Sequence, residues 1–308
     1  MQEYLEISFH PVGKVSSALA ARMQSWREKG YVLEQQYGIK TPWFKMLVPL
    51  GDESWRDEIV ATVKAKLVTS DWHANFIQDV YSPVDFAHAP LFGIIHTGRD
   101  IDFPMGRDDI ASVTHIMDVD QSDACAACGA GTRQNCPLRL PASDLNKAGK
   151  CASIWIGDNA FFMLTEQLAG ELSEECSDEL PLLEIETIGK IKLKERWLQI
   201  VPEFVVPESA IVERRVKRIE CPECGAVRGE ALPGPISGVC FTARESALNK
   251  VRLPAASLCP VWEGGIERFP DGRIISYPER RLWLRGDLGR ALAKKKIRDL
   301  ELVPIIFA

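Results

Sequence analysis

The stretch CAACGAGTRQNC, Cys125–Cys136, and its later counterpart CPECG, Cys221–Gly225, decide how this chain is built. Each contains two cysteines separated by two residues and followed by glycine. This spacing wraps the backbone around one tetrahedral ion, and the glycine permits the tight turn that brings N–H groups close to sulfur. Two such pairs predict metal-binding knuckles, with zinc as the expected ion and an iron–sulfur cluster as the alternative.

Two other interpretations of CAACGAGTRQNC are disfavoured. A redox pair needs a strand that feeds a helix whose N-terminus lowers the pKa of the first thiol, but GAGTRQNCP has no helical period. A phosphate-binding loop needs the GxGxxG pattern or the P-loop lysine after an apolar strand, and both are missing.

Two sets of metal ligands fit the cysteine positions. In the first, one ion is shared by Cys125, Cys128, Cys221 and Cys224. In the second, each pair closes a site of its own, with Cys136 and Cys151 completing one and Cys240 and Cys259 the other. Spacing supports the second set, because Cys136 and Cys240 precede a Leu-Asn-Lys by nine and eight residues, and Cys151 and Cys259 each precede a tryptophan.

Other features argue against local sites. Cys136 begins CPLRLP, which has the pattern of a strand, where a cysteine can serve as a small core hydrophobe. Cys176 belongs to neither set and is expected to be an unpaired thiol.

The knuckles open two related segments. Leu145-Asn-Lys147 recurs as Leu248-Asn-Lys250, and DNAFFMLTEQLAGEL parallels DGRIISYPERRLWLRGDLGRAL as a strand running into an amphipathic helix. LPLLEIETI and IRDLELVPII then close the segments as strands. We therefore expect a duplicated unit of knuckle, strand, loop, strand, helix and strand, with WLQIVPEFVVPES as a proline-bounded strand or linker between the copies.

The residues before the first knuckle predict a separate domain. YLEISF and FKMLVPL have strand patterns, and VSSALAARMQSWREKG and WRDEIVATVKAKLV have helical ones. The expected fold class is α+β: an N-terminal α/β domain over 1–120, a first CXXCG unit over 121–200 and a second over 201–308. The two units are called the first and second repeats below.

Composition indicates the class of protein and the cellular compartment in which it works. The chain has 308 residues, 46% hydrophobic and 26% charged, as in globular proteins. No secretory signal or membrane-spanning run is visible, so we expect a cytoplasmic protein with no membrane association, in which cysteines bind metal.

Residues 51–189 carry 24 acidic against 9 basic side chains, whereas 190–308 carry 15 against 22. This asymmetry favours attraction within the fold over charged partners.

Several segments of the chain resemble those of a known protein family. CAACGAGTRQNCPLRLP, FFMLTEQLAGEL and LLEIE, followed by WLQIVPEFVVPES, CPECG and GRIISYPERRLWLRGDLGRALAKKKIRDLELVPI, are similar to bacterial double-CXXCG motif proteins. The resemblance covers about residues 120–308. It implies one ion on the two CXXCG pairs, and it implies a role like that of the family's immunity proteins, which neutralise a co-encoded toxin in contact-dependent competition. It implies no catalytic residue.

No catalytic constellation is evident. The histidines, His10, His73, His88, His96 and His115, form no paired metal motif. Folding would have to bring His73, His96, Asp100 and Asp102 together before they could form a site. Asp118, Asp120 and Asp123 are expected to form a polar loop before the first knuckle, with binding of a cation or a basic partner as the alternative. A four-cysteine zinc site has no open position, so we expect a non-enzymatic protein. The family resemblance implies that its partner is a protein and that it is an immunity-type antidote.

A zinc-ribbon nucleic-acid-binding or regulatory protein is the alternative function. Its support is thin, because only Arg133 and Arg139 lie near the first knuckle and Arg228 and Arg244 near the second, and the sequence pI is about 5.6. An enzyme with a site in the histidine-bearing N-terminal region is a third hypothesis.

Overall fold

The structure, a computed structural model, shows an α+β protein, which confirms the expected class. It describes residues 2–36, 43–97, 119–156, 159–176, 178–214, 216–231, 240–263, 267–268, 274–276, 280–297 and 300–308. Their contacts form two compact units, one of residues 2–84 and the other of 85–230 with 240–308. The expected boundary lay at residue 120 instead.

The N-terminal unit is a four-stranded antiparallel sheet with two helices. Its elements are β1 (Gln2–Phe9), α1 (Ser17–Glu28), β2 (Val32–Gln36), β3 (Trp43–Pro49), α2 (Ser54–Lys64) and β4 (His73–Val80). The strand order is β2-β3-β1-β4, so the unit has the β-α-β-β-α-β arrangement called ferredoxin-like. The expected helices and strands are present here, and the sheet they form is antiparallel.

Local sequence explains the helix boundaries in this unit. The hydroxyl of Ser16 accepts a hydrogen bond from the N–H of Leu19 and caps α1, which ends just before Gly30 in the left-handed region. Helix α1 buries Leu19, Met23 and Trp26 against the sheet, where Trp26 packs edge-on to Phe9.

The larger unit contains two four-stranded antiparallel sheets. The first is ordered β11-β13-β10-β9 and consists of β9 (Cys151–Ile156), β10 (Asn159–Thr165), β11 (Leu182–Glu184) and β13 (Trp197–Ile200). The second is ordered β18-β21-β5-β22 and consists of β5 (Leu91–Thr97), β18 (Ala256–Leu258), β21 (Leu282–Arg285) and β22 (Leu300–Ile305). Helices α5 (Glu166–Glu175) and α7 (Gly286–Lys294) each connect two strands of one sheet.

Shorter elements complete the larger unit. Helix α3 (Pro83–His88) precedes β5, and a 3₁₀ turn spans Glu208–Ala210. Two-stranded pairs are formed by β6 (Val119–Asp120) with β7 (Arg133–Gln134), β8 (Arg139–Pro141) with β12 (Glu186–Ile188), β14 (Ile211–Arg214) with β17 (Cys240–Ala243), β15 (Val216–Glu220) with β16 (Val227–Ala231), and β19 (Glu267–Arg268) with β20 (Ile274–Ser276). Helices α4 (Ala142–Leu145) and α6 (Glu245–Leu248) are single turns that end at Asn146 and Asn249.

The two sheets share one topology. Strands β10 and β11 flank β13 and both run antiparallel to it, with α5 as their connection. Strands β21 and β22 flank β5 in the same way, with α7 as their connection. Strands β9 and β18 then pair antiparallel with β10 and β21. This correspondence supports the duplication inferred from the sequence.

The central strands enter the two sheets from different places in the chain. Strand β13 follows the other strands of its sheet, whereas β5 comes before the first knuckle and was expected to belong to the N-terminal domain. Its pairing with β21 and β22 is the reason that residues 85–97 belong to the larger unit. Alternating hydrophobicity indicates that a strand forms, but it does not identify the partner strand.

The repeats are joined by a common hydrophobic core. Helix α5 contributes Leu168 and Leu172, helix α7 contributes Leu288 and Leu292, and all four lie in one buried cluster. Phe92 of β5 is fully buried in the same cluster. The repeats therefore form one compact unit, since neither helix has a core of its own.

Ion pairs also join the oppositely charged segments. Arg252 and Arg285 of the second repeat both bind Asp178 of the first, and Lys295 binds Glu171 and Glu175 at 3.0 and 2.7 Å. In these ion pairs, acidic residues of the first repeat attract basic residues of the second. This agrees with the interpretation, drawn from the sequence, that the two charged segments attract each other within the fold.

The Arg285 network predicts acid sensitivity. The hydrogen bond from Arg285 lowers the pKa of Asp287, and the same guanidinium lowers the pKa of Asp178. Because unfolding restores the ordinary pKa, the unfolded state takes up more protons, so stability is lost as pH falls below about 4. Thermal melts between pH 3 and 6 should therefore show a shallower acid-side slope for Asp287→Asn; an unchanged slope contradicts this role.

Two helix glycines make a matched test of helix packing. A Cβ on Gly289 would lie 2.2 Å from Cδ2 of Phe92, whereas a Cβ on Gly170 would meet nothing within 4 Å. Gly289→Ala should lower stability by about 1–3 kcal/mol through overpacking. Gly170→Ala should raise stability by up to about 1 kcal/mol through helix propensity. Denaturant unfolding of both variants measures this difference, and equal effects would refute the packing of α7 on β5.

Candidate metal centre

Each CXXCG segment folds as a compact turn with the same hydrogen bonds. In the first, the N–H of Gly129 donates to the carbonyl of Cys125 at 2.7 Å, and the N–H of Cys125 donates to the carbonyl of Ala130 at 2.9 Å. In the second, the corresponding bonds are from Gly225 to Cys221 at 2.9 Å and from Cys221 to Ala226 at 3.0 Å. The two turns are thus copies of one knuckle.

Glycine is required in these turns for a specific reason. Gly129 and Gly225 have φ angles of +73° and +71°, in the left-handed region that side chains disfavour. Gly131 has φ +99°, and a Cβ there would lie 2.7 Å from the carbonyl oxygen of Asp123. The glycines of GAG therefore serve the turn, as the metal interpretation requires.

The two knuckles bring four thiols together into a four-cysteine cluster, made of Cys125, Cys128, Cys221 and Cys224. All four Sγ atoms lie within 4.8 Å of one another. Equivalent cysteines face each other, with 3.8 Å between the sulfurs of Cys125 and Cys221 and 3.6 Å between those of Cys128 and Cys224. The cysteines that lie 96 residues apart in the sequence are therefore neighbours in the structure.

The cluster can hold a metal ion. Four sulfurs placed tetrahedrally at the zinc–sulfur distance of about 2.3 Å would lie about 3.8 Å apart. The two sulfur distances given above match this value, and none of these four cysteines forms a disulfide in the described part of the chain. The four ligands come from the protein, so a tetrahedral ion here would have no open position.

Burial and backbone hydrogen bonds change the pKa values of the thiols in the cluster. Cys128 and Cys221 are buried, whereas Cys125 is half-buried and Cys224 exposed. Burial raises the pKa of Cys128 to about 12, and the N–H groups of Cys224 and Glu223 lower the pKa of Cys221 to about 7. A bound cation favours the thiolate form of all four ligands, so acidification should weaken metal binding.

Apolar neighbours cover one side of the cluster. Ala130, Ala226 and Trp262 pack against the cysteines. The backbone of Trp262 is held to the second knuckle, because its N–H donates to Val227 at 3.0 Å and its carbonyl accepts from Gly229 at 2.9 Å. In the sequence, Trp262 follows Cys259 and is the counterpart of Trp155 in the first repeat; its contact with the cluster arises from folding.

The remaining cysteines do not complete local sites in the described part of the chain. Among the described side chains, the four-cysteine cluster is the one group of three or more adjacent metal-ligating residues. Cys136 is half-buried, and Cys151, Cys176 and Cys259 are buried thiols. Burial raises the pKa of Cys151 to about 12 and also raises the pKa of Cys259. The side chain of Cys240 is not among those that the structure describes.

Strand register separates Cys151 from Cys259. Cys151 pairs with Leu164, the second-last residue before α5. The equivalent pair in the second repeat is Ala256 with Leu284, the second-last residue before α7. Cys259 lies three residues beyond Ala256, so the two cysteines do not occupy equivalent positions.

The histidines and acidic residues do not form a second site among the described side chains. His10, His73 and His88 enter no group of three or more ligands. The side chain of His96, together with residues His115, Asp100, Asp102 and Asp118, lies outside the description. Asp120 accepts a hydrogen bond from the N–H of Ser122 at 2.8 Å, which gives it a role in the turn before the first knuckle. Asp123 closes the same loop through the close approach of its carbonyl to Gly131.

Comparisons with known proteins identify no relative: no family model, curated protein or solved structure matches the chain. Among the described helices, none is both long and apolar enough to cross a lipid bilayer.

Proposed function

We propose that this is a non-enzymatic, zinc-stapled binding protein, most specifically an immunity-type protein that binds and neutralises a bacterial toxin. The observation that carries the proposal is the four-cysteine cluster, whose ligands are contributed equally by the two repeats. Zinc is the proposed ion because tetrahedral sites with four thiolates are typical of structural zinc. Such a site suits the reducing conditions of the cytoplasm.

The proposal of a non-enzymatic role follows from the chemistry of the site. A catalytic zinc ion keeps one position open for water or substrate, whereas four cysteine ligands fill a tetrahedral ion. The metal would then stabilise the arrangement of the repeats and would activate no substrate. A rigid scaffold of this kind suits a protein that acts by binding.

The choice of a protein partner is supported by the use of the nearby arginines. Arg139 donates to Glu186 at 3.1 Å, and Arg244 donates to the carbonyl of Ser209 at 3.1 Å. These contacts within the chain reduce the cationic surface that a nucleic acid would need. Acidic side chains of residues 51–189, such as Asp178 and Glu171, form ion pairs with the second repeat, so their charge is not taken as support for a toxin partner. The toxin proposal therefore rests on the closed site and on the double-CXXCG resemblance.

Co-expression tests the proposal directly. The double-CXXCG resemblance implies a co-encoded toxin, so the chain is produced in a bacterial host together with any toxin encoded beside its gene, and growth is measured. We expect the wild-type chain to restore growth and to form a complex with the toxin in size-exclusion chromatography. Arg252→Gln, which alters an exposed side chain, serves as the control and should restore growth equally.

The alternative function has a separate readout. Salt-sensitive binding of the purified chain to DNA or RNA, combined with no complex and no rescue, would contradict the immunity proposal and favour nucleic-acid binding.

A further inference from the structure

A cleft of about 740 Å³ lies next to the four-cysteine cluster within the larger unit. Its wall includes Thr132, just after the first knuckle, and Trp262, which packs against the cysteines. Its volume falls in the range of about 300–1,000 Å³ that is usual for small-molecule sites. The cleft is distinct from the metal site, because its lining includes none of the four cysteines.

Arg280 is the unusual residue of this cleft. Its guanidinium lies 4.1 Å from the centre of the Trp262 ring, so a cation–π contact holds it in place. Its Nε is buried and has no hydrogen-bond partner in the described part of the chain. Burial also lowers the pKa of this arginine. A buried charged donor without an acceptor is costly, and an anion in the cleft would place a compensating negative charge beside the half-buried guanidinium.

Three uncharged polar side chains of the cleft are already engaged in hydrogen bonds. The amides of Gln134 and Gln199 donate to each other at 2.9 and 2.8 Å. The hydroxyl of Thr132 donates to the carbonyl of Gly129 at 2.7 Å. Recognition of a charged ligand therefore falls to the arginines.

The charges of the lining indicate the charge of the ligand. Among the described residues of the wall, the charged ones are two arginines, Arg133 and Arg280, and one acid, Glu203, which together carry a single net positive charge. Arg133 and Glu203 are exposed, whereas Arg280 is half-buried. Much of the remaining wall is apolar, including Phe162, Val205 and Leu282. A monoanion with an apolar body matches both properties.

We propose that this cleft binds a small monocarboxylic acid with an apolar, ring-sized body, and that Arg280 anchors its carboxylate. The planar guanidinium matches two carboxylate oxygens with paired hydrogen bonds. The apolar body occupies the wall formed by Phe162, Val205 and Leu282. A phosphate dianion fits less well, because its second charge exceeds the single positive charge of the lining. This site is independent of the proposed toxin partner.

Titration calorimetry with the metal-loaded protein tests the cleft. The probes are benzoate, its neutral analogue benzamide, and inorganic phosphate. Benzoate should bind saturably at one site and at least about tenfold more tightly than benzamide, because a hydrogen bond to a charged group contributes roughly 1.5–3 kcal/mol. Absence of saturable benzoate binding, equal binding of benzamide, or tighter binding of phosphate would each overturn the proposal.

A matched pair of variants locates the binding site. Arg280→Gln should weaken benzoate binding about tenfold or more. Arg252→Gln removes the same charge from an exposed position outside the lining and should leave binding unchanged. Equal weakening in both variants would show a general charge effect and overturn the assignment of Arg280. The comparison of benzoate with benzamide on the wild-type chain keeps the proposal testable if Arg280→Gln fails to fold.

Discussion

Replacing Cys221 with serine is expected to release the metal and to lower stability by about 4 kcal/mol or more, in the range reached when a metal site is lost. For a unit of this size, that loss corresponds to a fall of about 10 °C or more in melting temperature. The reason is that Cys221 is buried and faces Cys125 across the junction of the two knuckles, with 3.8 Å between the sulfurs. Its loss leaves three thiols and separates the repeats at this point.

Calorimetry and metal analysis of the same preparation check this prediction. Cys136→Ser is the matched control, because Cys136 lies in the same stretch of sequence but outside the four-cysteine cluster. This control should keep the metal and melt within a few degrees of the wild type, since a partly buried cysteine acts mainly as a small hydrophobe. Loss of metal in Cys136→Ser, or an unchanged melting temperature in Cys221→Ser, would contradict the shared site.

Replacing Phe92 with alanine is expected to lower the free energy of unfolding by about 3–5 kcal/mol, the usual cost of truncating a buried aromatic side chain. Phe92 is fully buried on β5 and contacts both Phe86 and the core shared by α5 and α7. The cavity left by the ring would be enclosed by these helices, so the loss should be large.

Denaturant unfolding measures the effect of Phe92→Ala. Phe307→Ala is the control: its side chain is 39% exposed near the C-terminus, and its loss should cost less than about 1 kcal/mol. Similar costs for the two variants would show that β5 is not a central strand of the second sheet.

The four-cysteine cluster was largely predictable from the sequence. The repeated CXXCG spacing implied two knuckles, and their glycines adopt the positive φ angles that such turns need. The duplication also appeared in the strand-to-helix segments that became β10 with α5 and β21 with α7. These features are local, so short patterns of residues contain the necessary information.

Features made by long-range pairing were not predictable. The pattern of LFGII indicated a strand, but the placement of β5 between β21 and β22 depends on residues about 190 to 210 positions later. The equivalence of Cys151 and Cys259 rested on nearby tryptophans, whereas strand register places Ala256 opposite Leu284 at the position equivalent to Cys151. The contact between Arg280 and Trp262 joins positions that no motif links.

The metal-to-protein ratio of the purified chain tests the central claim most directly. The four-cysteine cluster combines both CXXCG pairs around one position, so native mass spectrometry should show one zinc ion per chain and the loss of that ion in Cys221→Ser. Two zinc ions per chain would establish a separate site in each repeat. A chain that folds with no bound metal would contradict the zinc-stapled scaffold altogether.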